Sequence, residues 1–198
     1  MNILAGQASG STAVNLSKLP FPAVVEKVSF EQIVAEAKAL LVAEVAAEDA
    51  VAGAALEQTL QLESEPLVKL IEVFAYRETM LRQRINDAAR AVTLAYAVGS
   101  DLDHLVALLG VERLVVQPAS PDGLIPAVME GDDALRRRAL LAPEAFSVAG
   151  PEGAYIFHAL DASGDVLDAS ATSPEPGVVL VTVLSRLGDG TPSAALLE

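Results

Sequence analysis

Apolar residues recur in alternating steps of three and four between Glu65 and Val98, with one interruption at Glu78. The positions that form this stripe are Leu67, Ile71, Phe74, Leu81, Ile85, Ala88, Val92 and Ala95. This spacing predicts a long amphipathic helix, capped by Ser64 and ended by Gly99. At ~1.5 Å per residue, the helix would be about 50 Å long. Such a helix either bridges its domain from end to end or projects and packs against other chains.

Shorter helical patterns lie on both sides of this helix. Ser29-Phe-Glu-Gln32 is a capping box that predicts a helix start. A second helix is expected over 47–62, and a third opens at Ser100 and ends at Gly110. Residues 1–20 are rich in Gly, Ser, Ala and Asn and predict an extended N-terminal arm. Residues 21–110 are therefore expected to form a helical, bundle-forming region.

The pattern changes after Gly110 and predicts a smaller α+β module over 111–198. A strand is expected over 111–116, then a loop over 117–131, a basic helix capped by Asp132 or Asp133 and interrupted at Pro143, and a short helix over 154–162. The alternating VLDASATS and the apolar VVLVTVL predict a β-hairpin whose second strand is buried. Thr191 and Pro192 predict a final helix cut short, so we expect a truncated C-terminus. The expected fold class is α+β.

Composition narrows the possible functions. The 198 residues carry a formal charge of −14, with a sequence pI near 4.4. This acidity argues against a general nucleic-acid binder, because such binding depends on basic residues. No cysteine is present, which excludes thiolate catalysis and cysteine zinc sites. No predominantly apolar run reaches the ~20 residues of a membrane helix. We predict neither nucleic-acid binding nor membrane insertion.

The two histidines are the best candidates for an enzymatic site. His104 lies three residues after Asp101, and His158 could combine with Ser147 and an aspartate. Two metal ligands without a third are a weak signal, and no GxSxG pattern surrounds a serine. A small hydrolase or metal-dependent enzyme using His158 or His104 is therefore only the alternative hypothesis. We predict no catalytic, cofactor or metal site.

Two charged patterns allow more than one interpretation. Glu78 is expected either to pair with Arg82 one turn later or to set the register of a helix bundle through an arginine of another helix. The triple arginine Arg136–Arg138 either forms a solvated face or clamps carboxylates at a buried or interfacial position.

Several motifs in order resemble the baseplate J-like family of contractile-tailed phages and related tail-like particles. They are PAVMEGDDALRRR, SVAGPEGAY, LSKLPFPAVVE, SPEPGVVLVTVLSRLGDGTPSAALL and the long run from Leu62 to Asp103. The residues at positions that resemble the family signature are Glu130, Asp132, Arg136, Arg138, Ser147, Ala149, Gly150, Gly153 and Tyr155. The resemblance implies that they are structural rather than catalytic.

The resemblance also implies a function. The protein would be a non-enzymatic wedge subunit of a tail baseplate, assembled in the bacterial cytoplasm into a virion tail or a tail-like bacteriocin. Two copies would join another wedge subunit through a helical bundle, around a central hub and near the sheath-initiator subunits, and the ring would trigger sheath contraction. The residues expected at the subunit interface lie on the long helix: Phe74, Arg77, Glu78, Leu81, Arg84 and Ile85.

Overall fold

The computed structural model describes residues 15–147 and 150–198, and it confirms the α+β class. One compact unit comprises Pro20–Arg90, and the other comprises Ala91–Glu198 with the described residues up to Leu19. Most of the predicted N-terminal arm, residues 1–14, lies outside the described residues. The described part of the arm contains a 3-10 helix, Leu16–Lys18.

The first unit is helical. Its helices are α1 (Phe30–Glu48), α2 (Ala50–Thr59) and α3 (Pro66–Ala91). Ser29 caps α1 as predicted, because its hydroxyl accepts from the Gln32 amide at 3.4 Å. The second bond of the predicted capping box is replaced, since the Gln32 side chain donates to Glu36 at 2.8 Å. Asp49 separates α1 from α2 and caps the second helix with its carboxylate.

A small apolar core holds these three helices. Leu60, Val68 and Ile71 are buried, and partly buried side chains of α1 and α2 pack against them. Gly53 permits α1 and α2 to approach, because a Cβ there would lie 2.5 Å from the Ala46 Cβ. α3 ends at Ala91, so the prediction of a helix continuing to Val98 was wrong.

The second unit mixes helices and hairpins. Its elements are α4 (Gly99–Ala107), β1 (Val115–Gln117), β2 (Val128–Met129), α5 (Asp132–Ala145), α6 (Glu152–Ala162), β3 (Val166–Glu175), β4 (Val178–Ser185) and α7 (Ala194–Leu197). β1 pairs with β2 and β3 with β4, both antiparallel. Side chains of α4, α5, α6 and β3 supply most of the buried core.

The β3–β4 hairpin confirms the main prediction for this unit, with Val166 opposite Ser185 and Glu175 opposite Val178. Its second strand is not buried as predicted. The first seven residues of β4 are exposed or half-buried, and only Ser185 is buried. The outer strand of this hairpin stays open at its edge, because no third strand pairs with it in the part of the chain that the structure describes.

Other boundaries also differ from the sequence predictions. The strand expected over 111–116 is confined to 115–117, and its partner β2 lies within the segment predicted as a loop. Pro143 does not interrupt α5, since it lies in the last turn before the helix ends at Ala145. The N-cap position of α7 is Ser193 rather than Thr191, and its side chain forms no capping hydrogen bond.

Candidate assembly surfaces

The outer face of α3 exposes large apolar side chains. They are Leu70, Val73, Phe74, Leu81 and Ile85. Phe74 is 63% exposed and Leu81 is 61% exposed, whereas Ile71 is only 8% exposed. The predicted stripe is therefore divided between two faces. The row of α3 residues that includes Ile71 lies in the core. The adjacent row, through Phe74, Leu81 and Ile85, faces outward.

Arg77 and Arg84 border this outer face. Both side chains are exposed, and neither forms an ion pair or hydrogen bond with any of the described residues. They lie two helical turns apart on the same side of the apolar stripe. The outer face therefore combines apolar area with unneutralised positive charge. An apolar surface of this kind on a small unit is typical of an interaction site.

Glu78 is paired within its own helix. Arg82 Nε donates to Glu78 Oε1 at 2.9 Å, and Arg82 Nη1 lies 3.5 Å from Glu26 Oε1. The hydrogen bond to Glu78 is the main cause that raises the pKa of Arg82 above its ordinary value, against a smaller opposing effect of desolvation. This geometry is the intrahelical alternative for Glu78. A pair with an arginine of another helix stays a prediction.

A buried ion pair lies at the centre of the second unit. Arg138 donates to Glu130 with two nitrogens, Nε to Oε1 at 3.0 Å and Nη2 to Oε2 at 2.6 Å. The side chains are 2% and 4% exposed. Arg138 also donates to Asp161 on α6 and to the Glu112 carbonyl before β1. One guanidinium thus joins α5, α6 and the β1–β2 hairpin.

A second network surrounds Arg113. Its guanidinium donates to Asp103 Oδ1 at 2.8 Å, to Asp132 Oδ1 at 2.7 Å and to the Glu130 carbonyl at 2.6 Å. Desolvation alone would raise the pKa of Asp132, but the hydrogen bonds from Arg113 and Gly99 outweigh it. The pKa of Asp132 is therefore lowered.

Asp132 caps a different helix from the one predicted. It is the first residue of α5, whose N-cap is Gly131, and its carboxylate accepts from the Gly99 amide at 3.2 Å. That amide starts α4, whose N-cap residue is Val98, so Ser100 is not the cap of that helix. The carboxylate of one helix thus satisfies the exposed amide at the start of another.

Arg136 fixes the turn between Ala91 and α4. Its Nε donates to the Leu94 carbonyl at 2.7 Å and its Nη2 to the Ala97 carbonyl at 2.8 Å. The triple arginine was expected either to form a solvated face or to clamp carboxylates. Arg138 is a buried clamp for carboxylates, whereas Arg136 donates mainly to backbone carbonyls. Arg137 is half-exposed and pairs with Asp168 at 2.6 Å.

The remaining signature residues shape the approach to α6. Gly150 has φ +62°, and a Cβ there would lie 3.0 Å from the Tyr155 hydroxyl. A Cβ on Gly153 would meet the Glu144 carboxylate, so glycine lets α5 and α6 approach. Ser147 donates its amide to the Glu144 carbonyl at 3.1 Å. Ala149 lies outside the described residues. These positions shape backbone turns and helix packing.

A second exposed apolar surface lies on β4. Its exposed side chains are Val178, Val179, Leu180, Val181 and Leu184. The strand carries no charged residue and no proline over its eight residues. Unprotected edge strands of this kind pair readily with other strands.

Within the described residues, neither histidine is part of a catalytic constellation. His104 and His158 are both exposed, on α4 and α6. Among residues 15–147 and 150–198, no group of three or more His, Cys, Asp or Glu residues could hold a metal ion. None of the helices in those ranges is long and apolar enough to cross a membrane.

Sequence reasoning did not identify Arg113, Asp103 or Asp161 as members of the charge networks. Each pairs with residues far along the chain: Arg113 with Asp132 and Asp103, and Asp161 with Arg138. Helical spacing links only residues three or four apart, so it gave no signal for these pairs. The acidic-then-basic order of residues 130–138 was the only local indication.

The distinctive features of this α+β protein are charge networks that hold its elements together and apolar surfaces that are left open. Residues 63–120 match the family model described as the Baseplate J-like N-terminal domain. The chain belongs to the baseplate J-like family. Baseplate protein J of Escherichia phage P2 is 49% identical over 186 residues, which make up 93% of this chain and 61% of that protein. The chain thus spans about three fifths of this relative's length.

Proposed function

We propose that this protein is a structural, non-enzymatic component of a phage tail baseplate. The observation that carries the proposal is the 49% identity to Baseplate protein J of Escherichia phage P2 across 93% of the chain. The open surfaces support it, because a scaffold protein acts through subunit contacts. The outer face of α3 is the proposed bundle interface, and the exposed strand β4 is a second contact surface on the α+β unit.

The finer proposal is that the protein is a wedge subunit. It joins a second copy of itself and another wedge subunit, and the wedges surround a hub and release the sheath to contract. Phe74, Leu81 and Ile85 supply the apolar contact, while Arg77 and Arg84 orient the partners through charge. Bistable packing at such interfaces is the physical means by which a ring can change shape.

The test is incorporation into tail particles. A chimera of Baseplate protein J of Escherichia phage P2, with the matching segment replaced by this chain, is expressed in place of the original protein. Purified tails are then analysed by quantitative mass spectrometry. We expect the chimera at a fixed ratio to the other baseplate proteins. Tails that lack the chimera while it accumulates as a soluble monomer would overturn the baseplate proposal.

Leu81→Asp tests the α3 interface within the same particles. Leu81 is exposed, so the change leaves the core intact but places a charge in the proposed contact. Incorporation should fall about tenfold or more. Val51→Asp is the matched control, because Val51 is 79% exposed on α2, outside the proposed interface. Equal incorporation of the two variants would refute the interface and leave baseplate membership standing.

A further inference from the structure

Strand β4 has a free edge. Among the described residues it pairs with β3 alone, in a two-stranded sheet. In an antiparallel pair, every second residue directs its amide and carbonyl away from the partner strand. The loop after β4 ends this edge, since the Ser185 amide donates to the Gly190 carbonyl at 2.9 Å. Residues 178–184 therefore present an open edge about 23 Å long, at ~3.3 Å per residue.

β4 lacks the features that normally protect an edge strand. Such strands usually carry charged residues, prolines or bulges that discourage pairing with another chain. β4 has neither a charge nor a proline. The two irregularities in the hairpin register each add a residue to β3, one between Val166 and Asp168 and one between Thr172 and Glu175. β4 itself is therefore a regular strand, which can act as a template for a further strand.

Both faces of β4 are apolar and open. Val181 lies opposite the buried Ala171, on the face turned towards the core, yet it is 38% exposed. Leu180 points to the other face and is 55% exposed. Strands that are apolar on both faces are typical of positions inside a larger, covered sheet. The composition of β4 therefore fits a strand that another strand extends.

An open groove of about 410 Å³ lies between α6 and the hairpin. Glu152 and Tyr155 of α6 line one side of it, and Ala171, Ser173 and Val179 of the hairpin line the other. Because Val179 belongs to β4, the groove reaches the strand with the free edge. In recognition by strand addition, backbone pairing supplies affinity and a pocket for alternate side chains supplies specificity. The groove can take a side chain of an added strand.

The charge around the hairpin defines the chemistry of a partner. Glu152 and Glu175 are exposed, and neither forms an ion pair with any of the described residues. β3 and β4 contain no lysine or arginine. The end of the hairpin at which β4 begins is therefore acidic, and it attracts a basic segment. The five arginines of residues 91–198 all donate to groups within their own unit, and they are Arg113, Arg136, Arg137, Arg138 and Arg186.

We propose that β4 binds an extended segment of another protein as an added β-strand. The segment is apolar over about seven residues, the length of the free edge. It carries lysine or arginine at the end that lies beside Glu152 and Glu175, and one of its side chains enters the groove next to Tyr155. This inference rests on the proposed function in that it gives the chemistry of the partner for the second contact surface named there.

Synthetic peptides test the charge preference. The probe is a short peptide of alternating valine and threonine with two lysines at one end, and the comparison peptide has two glutamates there. Fluorescence anisotropy with the full chain should show the lysine peptide binding at least about tenfold more tightly. Glu152→Lys/Glu175→Lys should reverse this preference. Glu57→Lys/Glu63→Lys, at exposed positions in the helical unit, is the matched control, because it changes the net charge equally and should leave the preference unchanged.

Backbone pairing is tested with the same lysine peptide. Methylation of every second peptide nitrogen removes the amide donors along one edge of the peptide. One methylated form should lose binding and the other should stay within about threefold, because a strand pairs with β4 through one edge only. In the complex, hydrogen exchange of the β4 amides that point away from β3 should slow at least about tenfold.

Each outcome decides the proposal. Reversal of the preference by the Glu152 and Glu175 changes, together with protection of the β4 amides, supports it. Absence of binding by the lysine peptide overturns it, and so does equal binding of the lysine and glutamate peptides or equal loss in both methylated forms. Pairing of β4 with β4 of a second copy, detected by sedimentation, would also overturn it. Incorporation into tail particles tests the proposed function separately, and circular dichroism checks that every variant is folded.

Discussion

Arg138 and Arg84 both lie on amphipathic helices, but their guanidinium groups have opposite surroundings. The Arg138 side chain is 2% exposed and donates to two carboxylates and a carbonyl. Arg84 is exposed and has no partner among the described residues. The first arginine has its hydrogen-bonding capacity used by its own fold, and the second has that capacity available for another chain. Arginines in one sequence can therefore serve stability in one unit and association in the other.

The same contrast separates the two units as a whole. The α+β unit satisfies its charges through long-range pairs, such as Arg113 with Asp132. The helical unit pairs its charges mostly within α3, as in Lys69 with Glu72 and Arg82 with Glu78. Pairs within a helix are exposed and contribute little to stability. Charge substitutions should therefore affect the stability of the α+β unit far more than that of the helical unit.

The largest expected effect is that of Arg138→Met. The change leaves the Glu130 carboxylate buried without its cation, so the free energy of unfolding should fall by about 3–5 kcal/mol. Urea denaturation followed by circular dichroism measures the loss. The double variant Glu130→Leu/Arg138→Met is the control, since it removes both charges and should recover much of the stability. A loss below about 1 kcal/mol for the single variant would contradict a buried, tightly coupled pair.

The sequence was most informative where structure depends on local spacing. The start of α1, the existence of α3 and the β3–β4 hairpin all followed from caps, helical periodicity and strand patterns. The end of α3 did not, because Arg136 on a distant helix holds the carbonyls of Leu94 and Ala97 in a turn. A local pattern cannot show that a tertiary hydrogen bond will override helix propensity.

Burial was harder to predict than secondary structure. The run VVLVTVL has the composition of a buried strand, yet β4 is exposed. Hydrophobicity indicates that a segment is stabilised by being covered, but the covering surface can belong to another chain. The α3 stripe shows the same effect, since Ile71 enters the core and Phe74 does not. For β4 the sequence prediction wrongly assigned the apolar run to the interior. For α3 the exposed Phe74, Leu81 and Ile85 were expected at a subunit interface, and that expectation stays a prediction.

A smaller effect is expected from Asp132→Asn, and it should depend on pH. The lowered pKa of Asp132 means that its charged form is stabilised in the folded state. Its contribution is fully present above the ordinary value of 3.8 and is lost as pH falls through the lower folded pKa. At pH 7 the substitution should cost about 1 kcal/mol, because the pair with Arg113 is only partly buried.

Unfolding free energies of this variant and the original protein, measured between pH 7 and pH 3, test that expectation. The difference between the two proteins should begin to shrink below about pH 4, where Asp132 becomes protonated in the unfolded chain while the folded protein still keeps its charge. Asp133→Asn is the matched control, since the Asp133 side chain is 94% exposed next to Asp132 on the same helix. A difference that is constant across this pH range would show that the Asp132 charge does not contribute to stability.

The smallest expected effect is that of Arg77→Ala and Arg84→Ala on the stability of the monomer. Both side chains are exposed and unpaired among the described residues, so each change should alter the free energy of unfolding by no more than about 0.5 kcal/mol. Denaturation at low protein concentration isolates the monomer from any association. Arg82→Ala, which breaks the contacts with Glu78 and Glu26, is the comparison within the same helix. A loss above about 1 kcal/mol for Arg77→Ala or Arg84→Ala would mean that these arginines stabilise their own unit. The contrast with Arg138 would then be one of degree, and the case for a partner at the α3 face would rest on its apolar side chains alone.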